Sequence, residues 1–161
     1  SNGTPAATQT AEWKTYTYAS DGFSISFPTA PDVKKQNVPT QKGTFELRAY
    51  VSQPGESALY VGVCDYGTAV EGRDPDDVLA GAQDGALQNV QAKLTTGRKF
   101  TFGIYHGVEF EGDSATMHFS ARIYLVGTTL YQTLVASPVA RPYGETPRFL
   151  NSFQLIARDA K

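Results

Sequence analysis

Short runs in which apolar and polar residues alternate recur along this chain, and they restrict it to a fold built mainly of β-strands. In "FSISF", residues 23–27, three apolar side chains alternate with two serines, which gives a strand one buried face. "TFELRAYV" alternates in the same way, whereas "ALYVGVCDYG" is apolar on both faces and therefore predicts a central strand. Short turns separate neighbouring runs, so we expect the strands to pair mostly antiparallel.

The two-residue period is broken once in mid-chain, over residues 74–90. Asp74 precedes Pro75, a pairing typical of a helix N-cap and first helical position, and apolar residues then recur at helical spacing. Gly81 and Gly85 each weaken the helix by about 1 kcal/mol relative to alanine. Because they share one stripe, we expect them to let the helix lie close against a sheet.

A second, shorter helix is predicted near the end of the chain, in "TPRFLNSFQLI". Thr146 would be its N-cap, and Phe149, Leu150 and Phe153 would face inward. The order is therefore strands, helix, strands, helix. This order predicts an α+β fold, with a largely antiparallel central sheet and helices packed on its faces as an α/β/α sandwich.

Composition excludes several classes of protein. Hydrophobic residues at 40% and charged residues at 19% exclude a disordered chain. A net charge of −2 provides no electrostatic footprint for nucleic acid, and no apolar run is long enough for a transmembrane helix. Cys64 is the only cysteine, so it cannot form an internal disulfide.

The first residues differ from the rest in composition. Residues 1–12, "SNGTPAATQTAE", are small and polar and predict a flexible tether before a single domain of residues 13–161. Small polar tethers often follow a removed signal peptide or a lipid-anchored cysteine in exported bacterial proteins. We therefore expect an extracytoplasmic location, in the periplasm or cell envelope, and this interpretation allows a lipid anchor upstream of residue 1.

Four stretches together resemble the PsbP-like superfamily: "DGFSISFPTAP", the helix after "DPDDV", "ARIYLVGTTLYQTLVAS" and "RFLNSF". The likeness covers most of residues 13–156. The superfamily includes extrinsic subunits of photosystem II, bacterial lipoproteins of the DcrB type and a Ran-GTPase release factor. The resemblance implies a central antiparallel sheet between helices and a role as a binding or assembly module. It implies no catalytic residue, because the group shares no catalytic motif.

The segment "IYHGVEFEGDSATMHFSARIYLVG" contains both histidines of the chain. A hairpin with its turn at residues 112–115 would place Glu109 opposite His118 and would separate an apolar face from a polar one. The candidate functional residues on that polar face are Glu109, Glu111, His118 and Arg122. A second turn at Gly127-Thr128 would pair Tyr124 with Tyr131 and extend the polar face with an aromatic patch.

The polar face allows a metal site or an ordinary cross-strand pair. Glu109 and His118, with Glu111 or His106, are weak candidate metal ligands, although His106 should lie on the opposite face of its strand. Structural zinc usually has four ligands, often thiolates, and this segment has no thiol. An exposed Glu109–His118 pair flanked by Arg122 would contribute only about 0–1 kcal/mol.

The sequence contains no motif that predicts an enzyme. It has no Gly-x-Ser-x-Gly and no phosphate-binding glycine loop, and the Gly-Asp-Ser at 112–114 lies in a predicted turn. Cys64 lies in an apolar strand, where cysteine usually acts as a small hydrophobe.

These patterns favour a non-enzymatic, exported binding or assembly module that requires no cofactor and allows an unidentified protein partner. The alternative is a metal- or small-ligand-binding protein that uses the Glu109/His118 face. A third hypothesis is a small-molecule carrier lined by Trp13 and the tyrosines, although such aromatics are more often core.

Overall fold

The structure, a computed structural model, describes residues 12–40 and 43–157. All of the predicted tether except Glu12 lies outside these residues. The described chain forms ten strands and two α-helices. The strands are β1 (Lys14–Tyr18), β2 (Phe23–Phe27), β3 (Asp32–Thr40), β4 (Gly43–Ser52), β5 (Ala58–Asp65), β6 (Lys93–Phe102), β7 (Tyr105–Asp113), β8 (Met117–Val126), β9 (Thr129–Pro138) and β10 (Gln154–Leu155). The helices are α1 (Pro75–Asn89) and α2 (Thr146–Asn151).

Seven strands form one antiparallel sheet in the order β3-β4-β5-β9-β8-β7-β6. Strand β5, apolar on both faces, lies between β4 and β9, as its sequence predicts. The predicted α+β class with a largely antiparallel sheet is confirmed. The polar segment before β4 forms the edge strand β3.

Helix α1 packs on one face of this sheet, over β6, β7 and β8. Asp74 is its N-cap and accepts a hydrogen bond from the backbone N–H of Asp76, and Pro75 follows directly, as predicted. The buried side chains Val78, Leu79 and Leu87 pack against an apolar set on β7 and β8: Val108, Phe110, Ala121, Ile123 and Leu125. The helix therefore covers only one half of its face of the sheet.

The opposite face is covered by a small sheet of strands β1-β2-β10 together with α2. Strand β10 pairs with β2 and so brings residues from near the end of the chain beside residues from near its start. Aromatic side chains fill the space between the two sheets. They include Phe23, Phe27, Tyr50, Tyr124, Tyr131, Phe149 and Phe153. The sequence pattern does not predict that these strands form a sheet of their own.

Two expectations about the helices are wrong. Helix α2 begins at Thr146 with Glu145 as its N-cap, and it ends at Asn151, where the chain turns into β10. The predicted inward residues Phe149, Leu150 and Phe153 are nevertheless buried. Gly81 and Gly85 do not bring α1 close to the sheet, because a Cβ added at either glycine would meet no atom within 4 Å.

Candidate functional site

The polar hairpin of β7 and β8 exists, but its predicted register is wrong. Glu109 lies opposite Arg122, and His118 lies opposite Asp113. The turn falls later because Ser114 closes it, accepting a hydrogen bond from the N–H of Met117 at 3.1 Å. The residue opposite Glu109 is therefore four positions further along β8 than predicted. Because a shift by an even number of residues keeps each side chain on its face, Glu109 and His118 still share one face, as expected.

Glu109 lies at the centre of a charged network that joins three strands to helix α2. Its Oε1 accepts from Arg98 Nε at 2.7 Å, and its Oε2 accepts from Arg122 Nε at 2.7 Å. Arg122 also donates to the Leu150 carbonyl at 3.3 Å and to Asn151 Oδ1 at 2.9 Å. A cation at these last residues of α2 satisfies a helix C-terminus, so the network is an anchor for α2.

This network predicts an acid-sensitive contribution to stability. Burial raises the pKa of the Glu109 carboxyl, but the hydrogen bonds and charges of Arg122 and Arg98 outweigh it and hold the pKa below its ordinary value. The contribution is therefore complete above the ordinary carboxyl pKa and is lost as the pH falls through the lowered folded value. We expect Glu109→Gln to lower the free energy of unfolding at pH 7 by up to about 1 kcal/mol.

Urea unfolding at a series of pH values measures this effect. The difference between wild type and Glu109→Gln should shrink as the pH falls below the ordinary carboxyl pKa. Glu71→Gln, at an exposed position, serves as the control and should show no such difference. A difference between wild type and Glu109→Gln that stays constant from pH 7 to pH 3 would contradict the assignment.

His118 forms a second, separate cluster at the turn end of the hairpin. Its Nδ1 lies 2.6 Å from Asp113 Oδ1, and its Nε2 lies 3.2 Å from Glu111 Oε1 and 3.4 Å from Ser120 Oγ. The order Asp–His–Ser resembles a hydrolase triad in outline. Ser120, however, is buried in the middle of a strand that is paired on both sides, and Glu111 competes for the same imidazole nitrogen. The cluster is therefore a poor nucleophilic site.

The weak metal candidates do not converge. His106 faces the α1 side, where its Nδ1 lies 3.5 Å from Asp76 Oδ1, and both carboxylate oxygens of Glu109 are held by arginines. Within residues 12–40 and 43–157, no three histidine, cysteine or carboxylate side chains are grouped as a metal ion requires. The geometry of this face gives a metal-binding role no support.

The aromatic pair has the predicted register, and it is covered instead of forming a binding surface. Tyr124 lies opposite Tyr131, as the two-residue turn Gly127-Thr128 requires. Both rings are buried against Phe153 and the small sheet, with exposures of 1% and 2%. They are therefore core residues, and the expected aromatic patch is not a surface.

A cavity lies on the other face of the main sheet, where α1 leaves it uncovered. It is a groove of about 690 Å³ between α1 and strands β3, β4, β5, β8 and β9. Side chains from β4 and β9, among them Leu47, Ala49, Leu130 and Leu134, form much of its apolar floor. None of the described residues that line it is charged, so this part of the surface differs from both polar clusters.

Strand β5 supplies the central row of the floor: Tyr60, Gly62, Cys64 and, just beyond the strand, Tyr66. The Tyr60 ring lies across Gly62, where a Cβ would collide with it. Burial raises the pKa of the Cys64 thiol, although a hydrogen bond from Tyr66 opposes this. The thiol is therefore kept in its neutral form and is a weak nucleophile.

The groove continues past Tyr66 into a smaller cavity of about 390 Å³. Arg73 and Asp77 lie at this end, beside Phe45 and Val70. Gly81 and Ala82 line both parts. The whole site is thus a long groove, uncharged in its larger part and charged at one end.

Sequence reasoning missed this groove, although two signals mark it. Gly81 and Gly85 on the helix stripe are unfavourable for helix formation, and the structure gives them no packing role. Both line the groove, where a larger residue would fill it. Gly62 in an otherwise apolar strand is the second signal, since glycine inside a strand often marks a close approach.

Similarity in three dimensions, and not in sequence, relates this fold to a known protein. No protein-family model and no curated protein sequence matches the chain. In three dimensions it is similar to the solution structure of cyanobacterial PsbP (CyanoP) from Synechocystis sp. PCC 6803. The TM-score is 0.61 at 12% sequence identity, with 92% of this chain and 95% of the other covered. None of the helices described is long and apolar enough to cross a membrane. The chain therefore has a PsbP-like fold.

Proposed function

We propose that this protein is a non-catalytic binding module that acts outside the cytoplasm and holds a ligand in the groove beside α1. The observation that carries the proposal is the groove itself, about 690 Å³ in volume and lined without charge. Sites for small molecules are typically concave, mainly apolar and about 300–1,000 Å³ in volume. The groove has all three properties.

Binding explains the groove better than catalysis does. General acid–base chemistry needs a titratable group near the bound molecule, and the larger part of the groove has no carboxylate or imidazole in its lining. Its thiol, Cys64, is kept neutral by burial. The two polar clusters of the β7–β8 hairpin lie on the opposite face of the sheet.

The extracytoplasmic placement is supported by the polar residues 1–12 and by the PsbP-like fold. Fractionation of the native host, with antibodies against this protein and against a cytoplasmic marker, tests it. Recovery of the protein with the cytoplasmic marker would contradict the placement and would leave the groove proposal standing.

A neutral fluorescent probe tests the groove. N-phenyl-1-naphthylamine, whose emission rises in apolar surroundings, should bind wild type in a saturable way. Gly85→Leu should weaken this binding at least tenfold, because the new side chain occupies space that is open at Gly85. The same substitution removes a helix-weakening glycine and should not lower stability.

The control is Gln88→Leu, which places the same side chain on the same helix at an exposed position outside the lining. It should bind the probe like wild type. Equal binding by Gly85→Leu and Gln88→Leu would contradict the proposal, as would an absence of saturable binding by wild type.

A further inference from the structure

We infer that the groove takes an uncharged, mainly apolar molecule with a carbonyl or hydroxyl group near its middle, and that Gln132 and Tyr60 bind that group. This inference rests on the proposed function and adds the class of ligand and the residues that select it.

The charge of the lining sets the charge of the ligand. The described residues around the larger cavity have apolar, amide, hydroxyl or thiol side chains, and none of these residues carries a formal charge at neutral pH. An ionised ligand would lose its hydration there without gaining a counter-charge, which is strongly unfavourable. The apolar walls instead favour hydrocarbon surface. A neutral molecule therefore fits.

Two polar side chains meet at one point of the floor. Gln132 on β9 lies directly opposite Gly62 on β5, and the hydroxyl end of Tyr60 lies over the same glycine. Residues opposite each other in an antiparallel pair have Cα atoms only about 4.5–5.5 Å apart. The Gln132 side chain therefore begins beside the Tyr60 hydroxyl, and its amide can reach the same part of the groove.

Both side chains are half-buried, and neither has a side-chain hydrogen-bond partner among the described residues. Polar groups in such surroundings are normally satisfied, by protein, water or a ligand. Each can donate a hydrogen bond, and each can also accept one. A carbonyl or hydroxyl oxygen on a bound molecule would satisfy both.

The surroundings of this point set the shape of the ligand. Apolar side chains flank it along both neighbouring strands, with Leu47 and Ala49 on β4 and Leu130 and Leu134 on β9. A molecule that fills the groove must therefore place apolar surface on each side of its polar group. The polar group belongs near the middle of the ligand and not at its end.

A matched set of three ring compounds tests the inference. 9-Fluorenone has a central carbonyl, fluorene has a methylene group in the same place, and fluorene-9-carboxylate has a charge there. Each competes with N-phenyl-1-naphthylamine for the wild-type protein. We expect fluorenone to bind about tenfold more tightly than fluorene, as one or two net hydrogen bonds provide. The carboxylate should bind at least tenfold more weakly than fluorene.

Two variants test whether Gln132 and Tyr60 cause the preference for fluorenone over fluorene. Gln132→Leu and Tyr60→Phe should each reduce the preference for fluorenone, and the double variant should bind both neutral compounds alike while keeping its affinity for fluorene. Gln154→Leu on β10, exposed and on the other side of the molecule, should keep the full preference. Retained fluorene binding shows that the variants are folded.

Each of the other possible outcomes contradicts a specific part of the inference. Equal binding of fluorenone and fluorene to wild type, or tighter binding of the carboxylate, refutes the ligand class. A preference that survives in the double variant refutes the two residues. Probe binding that falls as the protein is concentrated would show a second copy covering the groove, and this too would overturn the inference. A failure of every compound, including the fluorescent probe, would instead refute the proposed function.

Discussion

Replacing Arg48 by alanine is expected to destabilise the protein by about 3–5 kcal/mol, because it leaves a buried carboxylate without its cation. Asp21, in the turn between β1 and β2, has an exposure of only 2%. Its Oδ1 accepts from Arg48 Nε at 2.6 Å and lies 2.6 Å from a terminal guanidinium nitrogen of Arg48. Its Oδ2 accepts a hydrogen bond from the Tyr50 hydroxyl.

The size of this effect follows from burial and not from the number of hydrogen bonds. Asp21 belongs to the small sheet and Arg48 to the large one, so the pair joins the two layers. The Asp21 carbonyl also accepts from Tyr131 Oη at 2.6 Å, which fixes the turn from a third strand. Loss of the guanidinium would leave the Asp21 carboxylate buried without a counter-charge, which is strongly unfavourable.

Urea unfolding followed by circular dichroism measures the loss. The matched control is Arg141→Ala, since Arg141 also binds a carboxylate through two nitrogens, to Glu56 at 2.7 and 2.6 Å. Both members of that pair are largely exposed, so its removal should have little effect on stability. Equal losses in the two variants would show that the Asp21–Arg48 pair has no special role.

Phe153→Ala should cost about 3–5 kcal/mol, the range typical of a large buried aromatic reduced to alanine. The ring lies where the two sheets and α2 meet. It stacks on Tyr124 at a centroid distance of 4.6 Å and contacts Tyr131 at 5.7 Å and Phe23 at 5.9 Å. One substitution therefore creates a cavity shared by three elements.

The same unfolding experiment measures this variant. Phe45→Ala is the control, because Phe45 is only half-buried and contacts a single ring, that of Tyr66. It should cost clearly less than Phe153→Ala. If the two costs are the same, the aromatic cluster between the sheets is not the main source of stability in this molecule.

Local patterns predict most elements of this fold, because alternation and capping act over a few residues. Asp74 and Pro75 locate the start of α1, and Gly127-Thr128 fixes the β8–β9 register. The β7–β8 register fails since Gly112 is taken for a turn residue. Its real role is close packing: a Cβ there would lie 2.7 Å from Leu87 Cδ2 and 2.8 Å from the Lys93 carbonyl oxygen.

The candidate site is harder to predict because it depends on what covers each face of the sheet. The sequence places Glu109, His118 and Arg122 on one polar face, and this is where they lie. It gives no indication that the aromatic end of that face is buried or that α1 stops halfway across the other. Which part of a sheet face is covered depends on contacts between residues far apart in the sequence. Here it depends on the pairing of β1, β2 and β10 into the small sheet.

The pairing of β10 with β2 has a consequence for biosynthesis. Leu155 lies opposite Phe23, and the Ile156 N–H donates to the Gly22 carbonyl at 2.9 Å, so the layer that covers Tyr124 and Tyr131 closes only after residues 154–156 have been made. A nascent chain that has not yet reached Phe149 lacks the side chains that seal the aromatic core. The aromatic core therefore stays open on the ribosome until residues 149–156 have emerged, although β1 and β2 are made first.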